Sequence, residues 1–235
     1  MDALFMCYNK LSGDIMSKKK NMILLFINLF FIITNIYVVY KGLTGGATIG
    51  QVGAGEMHGL GYFKAFTVDS NVLVGIVALI GFVFNIKNII KKEYIIPRWL
   101  EKLYLIGASS VFLTIVTVIV FLTPLRYIKT GSFMVLYSGT LFLYHLLNPI
   151  LAVITIMFVL NNYKISYKEG WLGIIPMVIY AIVYIIMIMT KIWSDFYFFT
   201  FGDKYYLIPL VFVVVGLINY GLTCICIKVH NKTTD

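Results

Sequence analysis

Three residues that could do chemistry stand close together in the apolar stretch LYHLLNPILAV, residues 143–153. They are His145, Asn148 and Pro149. An imidazole can accept or donate a proton, and an amide can both donate and accept hydrogen bonds. Proline has no N–H, so in an α-helix Pro149 removes the hydrogen bond to the carbonyl of His145. We expect a bent or widened turn over 145–149, where the His145 carbonyl needs another donor because lipid offers none.

A second polar group opens another apolar stretch, where Thr67, Asp69 and Asn71 occupy alternate positions. Thr67 and Asn71 share one helix face, as do His145 and Asn148. An ionisable side chain within a membrane is a functional candidate by default. We therefore expect His145 to belong to a site with Thr67, Asp69 and Asn71. The alternative is that His145 only forms a hydrogen bond between helices.

Six apolar stretches must position these residues. A bilayer core about 30 Å thick needs about 20 apolar residues in helical form, and only helices satisfy their own backbone in lipid. The stretches cover residues 22–40, 66–86, 103–124, 137–160, 171–192 and 205–227. The sequence therefore predicts an all-α integral membrane protein, a bundle of six transmembrane helices over 22–228, with tails at 1–21 and 229–235.

The composition supports this class. Only 12% of the 235 residues are charged and 60% are hydrophobic, whereas soluble domains carry about 25% charged residues. The net charge of +9 lies between the apolar stretches, which disfavours nucleic acid as a partner and leaves membrane lipids. Lysine greatly outnumbers arginine, and Ile, Asn, Tyr and Phe are abundant, which is typical of AT-rich coding sequence and favours a bacterial source.

The basic residues also predict an orientation. With both termini on one side, that side holds 13 of the 19 Lys and Arg residues, and the other side holds six. The positive-inside rule then places both termini in the cytoplasm of a plasma-membrane protein. A natural start at Met16 would suit this topology, which suggests that residues 1–15 are an upstream extension or a weakly ordered tail.

The remaining segments predict no metal and no cofactor. Residues 41–64 contain eight glycines, but their spacing does not match a dinucleotide fingerprint. This external loop could cover the mouth of the bundle, with Glu56 and His58 reaching a site below it. The cysteines Cys224 and Cys226 fit small apolar side chains better than ligands. The aromatic segment SDFYFFTFGDKYY, residues 194–206, fits an interfacial belt.

The segments YFKAFTVDSNVLVGI, from residue 62, and LYHLLNPILAVI, from residue 143, carry a resemblance. They are similar to the bacterial six-span family called Pr-six-Pr, whose members have a Y-F-T-x-x-S-N-x-L type segment and a later H-x-x-x-P segment. The stretch DFYFFTFGDKYYLIP is similar as well, so the resemblance covers about residues 22 to 228. Here the first motif reads A-F-T, with Phe63 and Lys64 before it.

That family in turn resembles the androgen-induced membrane hydrolases, which cleave fatty-acid esters with a threonine and a histidine. The resemblance implies that Thr67 is the nucleophile and His145 its base. The polar helix faces that carry them add Asp69, Asn71 and Asn148 as candidate substrate-binding residues. A second hypothesis is a transporter, receptor or accessory protein that binds a small ligand in a polar cavity of the outer half. A third is a structural membrane protein without a pocket.

Overall fold

The structure is a computed structural model that describes residues 14–15, 17–47, 58–160, 162–202 and 204–234. Six helices in these ranges are long and apolar enough to cross a membrane. They are α1 (Lys18–Leu43), α2 (Phe66–Lys91), α3 (Arg98–Thr130), α4 (Gly139–Val159), α5 (Tyr167–Met189) and α6 (Tyr205–Thr233). The prediction of an all-α, six-helix integral membrane protein is confirmed.

Short elements join the helices. Two 3₁₀ segments, Gly59–Lys64 and Met134–Tyr137, precede α2 and α4. A strand pair joins β1 (Asp14–Ile15) to β2 (Ile95–Ile96) in antiparallel register. Residues 48–57, which include Glu56 of the glycine-rich loop, lie outside the described residues, as do residues 1–13.

The burial pattern is that of a membrane protein. On α1, the amides of Asn21 and Asn28 are fully buried. Phe26 and Ile36 on the other face keep 63% and 67% of their surface exposed. A soluble protein would reverse this arrangement, because its large apolar side chains would leave water. Polar groups turned inward and apolar groups turned outward indicate that the solvent of these helices is lipid.

Amide side chains hold α1, α2 and α3 together. Asn28 donates to the Asn85 Oδ1 at 2.8 Å, and Asn85 donates in turn to the Asn21 Oδ1 at 2.8 Å. Tyr104 of α3 donates to the Asn28 Oδ1 at 2.8 Å. Gly81 of α2 makes room for this contact, since a Cβ there would lie 1.7 Å from the Tyr104 hydroxyl oxygen. These residues form the amide cluster of the bundle.

Contacts at the two ends of the bundle fix how the chain passes through it. At one end, Asn231 near the C-terminus donates to and accepts from the backbone of Ile165, each at 2.8 Å. The β1–β2 pair lies at the same end, because it joins the chain before α1 to the α2–α3 connection. At the opposite end, Tyr180 donates to the Lys64 carbonyl at 2.8 Å. The described residues nearest the two termini therefore share one end, here called the terminal end.

Candidate functional site

The turn around Pro149 is widened, as the sequence predicts. Residues Leu143–Leu147 form a π-helical turn, in which the Asn148 N–H donates to the Leu143 carbonyl five residues earlier. With this five-residue spacing, the N–H of residue 149 would bond the carbonyl of Tyr144. Because Pro149 has no N–H, the Tyr144 carbonyl loses its helical hydrogen bond. The sequence analysis assumed the four-residue spacing of an α-helix and therefore predicted that the His145 carbonyl would lose its partner.

Asn71 supplies the missing donor. Its amide nitrogen donates to the Tyr144 carbonyl at 3.0 Å and to the Thr67 carbonyl at 2.8 Å. One side chain thus joins the first turns of α2 to the widened turn of α4. Asn71 is fully buried, and no described residue hydrogen-bonds its Oδ1. Its role in the structure is to satisfy backbone groups that lipid cannot satisfy.

We expect Asn71→Leu to destabilise the protein by about 1–3 kcal/mol, because it leaves the buried Tyr144 carbonyl without a partner. Pro149→Ala should reduce this cost, since residue 149 would regain an N–H that can bond the same carbonyl. A double-mutant cycle measured by unfolding from detergent micelles should give a coupling of about 1 kcal/mol between the two changes. Simple additivity of the two costs would contradict this account of the turn.

His145 is buried within the bundle, with 4% of its surface exposed. Its Nδ1 lies 2.8 Å from the carbonyl oxygen of Leu136, in the 3₁₀ segment before α4. A carbonyl only accepts, so Nδ1 carries a hydrogen, and in the neutral ring Nε2 keeps the lone pair. His145 therefore bonds the α3–α4 connection to α4. Its Nε2 has no hydrogen bond to any described residue.

Asn148 and Tyr144 link α4 to α1. The Thr34 hydroxyl donates to the Asn148 Oδ1 at 3.3 Å, and the Tyr144 hydroxyl donates to the Asn35 Oδ1 at 2.8 Å. Asn148 is fully buried, and its Nδ2 has no hydrogen-bond partner among the described residues. These contacts indicate helix packing, which leaves Asn148 as a substrate-binding residue only a prediction.

Thr67 lines a pocket between α2, α3, α5 and α6, here called the Thr67 pocket. Its empty space is about 500 Å³ when the open mouth is included, and its walls are mostly aromatic and aliphatic. Most polar lining groups already have partners, since Thr114 bonds Ser70 at 3.0 Å and Tyr180 bonds the Lys64 carbonyl. The Thr67 hydroxyl makes no hydrogen bond with any residue that the structure describes, although the side chain is buried.

Asp69 faces a second cavity on the other side of Phe66 and Tyr180, here called the Asp69 cavity. It holds about 1090 Å³ of empty space, counted with its open mouth, between α2, α3 and α5. Asp69 lies in the first turn of α2. Within the described part of the chain its carboxylate has no hydrogen bond and no ion pair, with Lys64 or with any other cation.

Asp195 shapes the α5–α6 connection over the Thr67 pocket. Its carboxylate accepts from the Tyr184 hydroxyl at 2.5 Å and from the backbone N–H groups of Phe199 and Thr200 at 3.1 and 2.7 Å. Burial alone would raise the pKa of Asp195, but these hydrogen bonds outweigh it and hold the pKa below its usual value. The resulting turn places Tyr197 at the pocket wall.

The aromatic segment is therefore only in part an interfacial belt. Phe196 and Tyr197 are buried, with 3% and 6% of their surface exposed, whereas Phe201 and Tyr206 keep 59% and 74%. Aromatic density in the sequence does not distinguish these two environments. One of the charged residues inside the segment, Asp195, is the signal that the chain turns back on itself.

Acidification should loosen this turn. The pKa of Asp195 in the folded protein lies below the ordinary value of about 3.9. The carboxylate therefore stabilises the folded protein fully above about pH 3.9, and this stabilisation is lost as the pH falls through the folded pKa. We expect Asp195→Asn to reproduce the loss at neutral pH, with about tenfold lower hydrogen-exchange protection at the Phe199 and Thr200 amides. Unchanged protection in this variant would show that the carboxylate does not organise the turn.

A buried ion pair at the terminal end was not anticipated from the sequence. Glu101 and His230 are both fully buried, and the His230 Nε2 lies 3.3 Å from the Glu101 Oε1. The two ring nitrogens also lie 2.8 Å from the Ile156 carbonyl and 2.9 Å from the Tyr163 carbonyl. Since both carbonyls only accept, this geometry fits an imidazolium form of His230 paired with Glu101.

The predicted site residues thus separate into three groups. Thr67 lines one pocket and Asp69 lines the adjoining cavity, while Asn71, Asn148 and His145 bond backbone and amide groups between helices. No hydrogen bond joins the Thr67 hydroxyl to the His145 ring within the described residues. Asn71 nevertheless keeps the turns that carry them adjacent, since it bonds the backbone of Thr67 and of the residue before His145.

The comparisons with known proteins add no relative. Neither the protein-family models, nor the curated proteins, nor the solved structures gave a match to the chain. The resemblance to the Pr-six-Pr family and to the membrane hydrolases therefore stays a prediction from the quoted motifs. The chain is, on the features described above, an integral membrane protein with six apolar helices.

Proposed function

We propose that this membrane protein binds one small hydrophobic molecule in the Thr67 pocket, as a transporter, receptor or accessory protein would. The observation that carries the proposal is a pocket walled by apolar and aromatic groups, with the Thr67 hydroxyl on its wall and no described residue bonded to that hydroxyl. Ligand sites in proteins have this composition, with a few polar groups that orient the ligand. A protein built only for packing would fill such a space, because close packing is worth several kcal/mol.

The pocket size sets the class of ligand. About 500 Å³ of empty space, counted with the open mouth, leaves only a narrow enclosed slot between the walls, which suits a thin chain rather than a bulky ligand. Thr67 can donate one hydrogen bond and accept another, so it suits an ester, carboxyl or hydroxyl group on the ligand. The acyl chain of a membrane lipid is the most abundant molecule that meets both conditions.

A photoreactive palmitic acid tests this proposal with the full chain in dodecyl maltoside micelles. We expect it to label the peptides that carry Phe66 and Met177, which both line the pocket. Val215→Phe fills the pocket and should reduce this labelling at least about fivefold, given the steric limits of a packed interior. Val214→Phe is the matched control, because Val214 is 49% exposed on the lipid side and its change should leave the labelling as it is. Equal labelling in both variants would reject the proposal.

A lipid-ester hydrolase is the second candidate, with Thr67 as nucleophile and His145 as base. Two observations favour it: among the described residues, neither the Thr67 hydroxyl in the pocket nor the Nε2 of His145 has a hydrogen-bond partner. The Asn71 link between their turns is a third. In this mechanism the His145 Nε2 takes the Thr67 proton as the oxygen attacks the ester carbonyl, and the histidine then protonates the leaving alcohol.

A panel of lipid esters separates the two functions. If Thr67 and His145 react, Thr67→Val and His145→Gln should each lower kcat/KM about a hundredfold or more, with the fold retained. If His145 serves only to fasten the Leu136 carbonyl, His145→Gln should leave ligand binding intact and no ester should be turned over. Wild-type protein that binds palmitic acid without hydrolysing any ester assigns the binding function alone.

We also propose that the terminal end faces the cytoplasm of the plasma membrane, as the 13-to-six distribution of Lys and Arg favours. Single cysteines introduced at Gly53 and Glu93 in a chain otherwise free of cysteine should react with an impermeant maleimide from opposite sides. In intact cells only the Gly53→Cys variant should label, and Glu93→Cys should label after the membrane is opened. Labelling of both in intact cells would refute this topology.

A further inference from the structure

We propose that the Asp69 cavity binds an organic cation, an ammonium group with an apolar chain that enters from the lipid. This site is distinct from the Thr67 pocket, and the proposal stands whether or not that pocket is occupied. It rests on the carboxylate, on the aromatic walls and on the side from which the cavity is open.

The carboxyl group of Asp69 has no counterion among the described residues. Asp69 lies in the first turn of α2, where burial disfavours the ionised form, and the positive end of the helix dipole and a bound cation would favour it. The nearest basic side chain in sequence, Lys64, makes no ion pair with it, and its backbone carbonyl is already bonded by Tyr180. A charge within a membrane protein is normally paired or marks a pathway for a ligand or ion. Asp69 therefore needs a cation that the described part of the chain does not provide.

The walls of the cavity are suited to an organic cation rather than a metal ion. Four aromatic residues line the cavity together with Asp69, namely Phe63, Phe66, Tyr180 and Trp193. Of these, Phe66 and Tyr180 lie in contact, with ring centroids 5.2 Å apart. The electron-rich faces of aromatic rings attract ammonium groups, and quaternary ammonium ligands are recognised by aromatic cages. Hard metal ions would instead require several oxygen ligands, and the remaining lining is largely aliphatic.

The open side of the cavity faces lipid. Ile175, Ile179 and Val183 of α5 line it and keep 46%, 59% and 39% of their surface exposed. A chain attached to the ammonium group can lie along these side chains while the head meets Asp69. With about 1090 Å³ of empty space, the cavity has room for a head of the size of trimethylammonium.

Calorimetry with hexyltrimethylammonium, using the full chain in dodecyl maltoside micelles, tests the proposal. We expect saturable binding that is at least about tenfold tighter than binding of hexanol, which has the chain without the charge. Asp69→Asn should weaken ammonium binding to the level of hexanol. Glu93→Gln removes one negative charge in the exposed α2–α3 connection and should leave the affinity unchanged.

A second variant keeps the test decisive if Asp69→Asn fails to fold. Trp193→Leu keeps the carboxylate and removes one aromatic wall, so it should weaken ammonium binding several-fold and leave hexanol binding unchanged. Added phosphatidylcholine that displaces the probe, when phosphatidylglycerol does not, would identify the natural source as a lipid headgroup. Displacement by neither lipid would identify a free organic cation. Equal affinity for hexyltrimethylammonium and hexanol, or full affinity in folded Asp69→Asn, would overturn the proposal.

Discussion

Glu101→Leu should destabilise the protein by about 3–5 kcal/mol, the usual cost of removing one partner from a buried ion pair. The reason is that the buried His230 ring, which faces two carbonyl acceptors, would lose the carboxylate beside it. Equilibrium unfolding in mixed detergent and SDS micelles, followed by tryptophan fluorescence, measures the change. Glu93→Leu in the exposed α2–α3 connection is the control and should stay within about 0.5 kcal/mol of wild type.

A compensating change tests the cause. His230→Gln keeps a donor for the carbonyls of Ile156 or Tyr163 but carries no charge. Combined with Glu101→Leu, it should recover at least about half of the lost stability, because no isolated charge remains buried. If the double variant is as unstable as the sum of the single ones, the two side chains do not act as an ion pair.

Gly81→Ala should cost about 3 kcal/mol, although it adds only one methyl group. The new Cβ would lie 1.7 Å from the Tyr104 hydroxyl oxygen and 2.8 Å from the Asn28 amide nitrogen. Either α2 and α3 move apart, or the Tyr104 hydroxyl leaves its acceptor on Asn28. In both cases a buried polar group loses its hydrogen bond, which adds to the cost of overpacking. The same unfolding assay measures this change.

Gly221→Ala is the matched control for Gly81→Ala. Gly221 lies within α6, and a Cβ there meets no atom within 4 Å. Its replacement should stabilise the protein by up to about 1 kcal/mol, since alanine is the better helix former. Equal destabilisation by both changes would mean that close approach of α2 and α3 does not explain the result at Gly81.

The sequence predicts the fold well because few backbone structures can span a lipid bilayer. Length and hydropathy alone place six helices, and the polar stripes on α2 and α4 turn inward as their spacing requires. The widened turn before Pro149 follows from the chemistry of one residue. The sequence analysis named the His145 carbonyl as the group without a helical partner, but in the structure it is the Tyr144 carbonyl. The difference of one position arises because hydrogen bonds in a π-helical turn span five residues, and the sequence alone does not reveal that turn.

The candidate site is less predictable, because helix rotation and depth decide which polar residues meet. Thr67 and Asp69 are two residues apart, yet they line different cavities, since adjacent helical positions point in different directions. Glu101 and His230 are separated by most of the chain, and nothing in their local sequence distinguishes them from solvated residues at helix ends. Such long-range pairs become visible only when the packing of α3 against α6 is known.

The amide cluster of α1, α2 and α3 also bears on how the protein is made. If α1 entered the membrane alone, Asn21 and Asn28 would lie in hydrocarbon without partners, and the same holds for Asn85 of α2. Both situations cost free energy. The first two helices emerge consecutively from the ribosome and satisfy each other's amides, so they can leave the translocon as a paired hairpin. Tyr104 reaches the cluster only when the third helix follows. The order of the helices along the chain thus matches the order in which their buried polar groups acquire partners during synthesis.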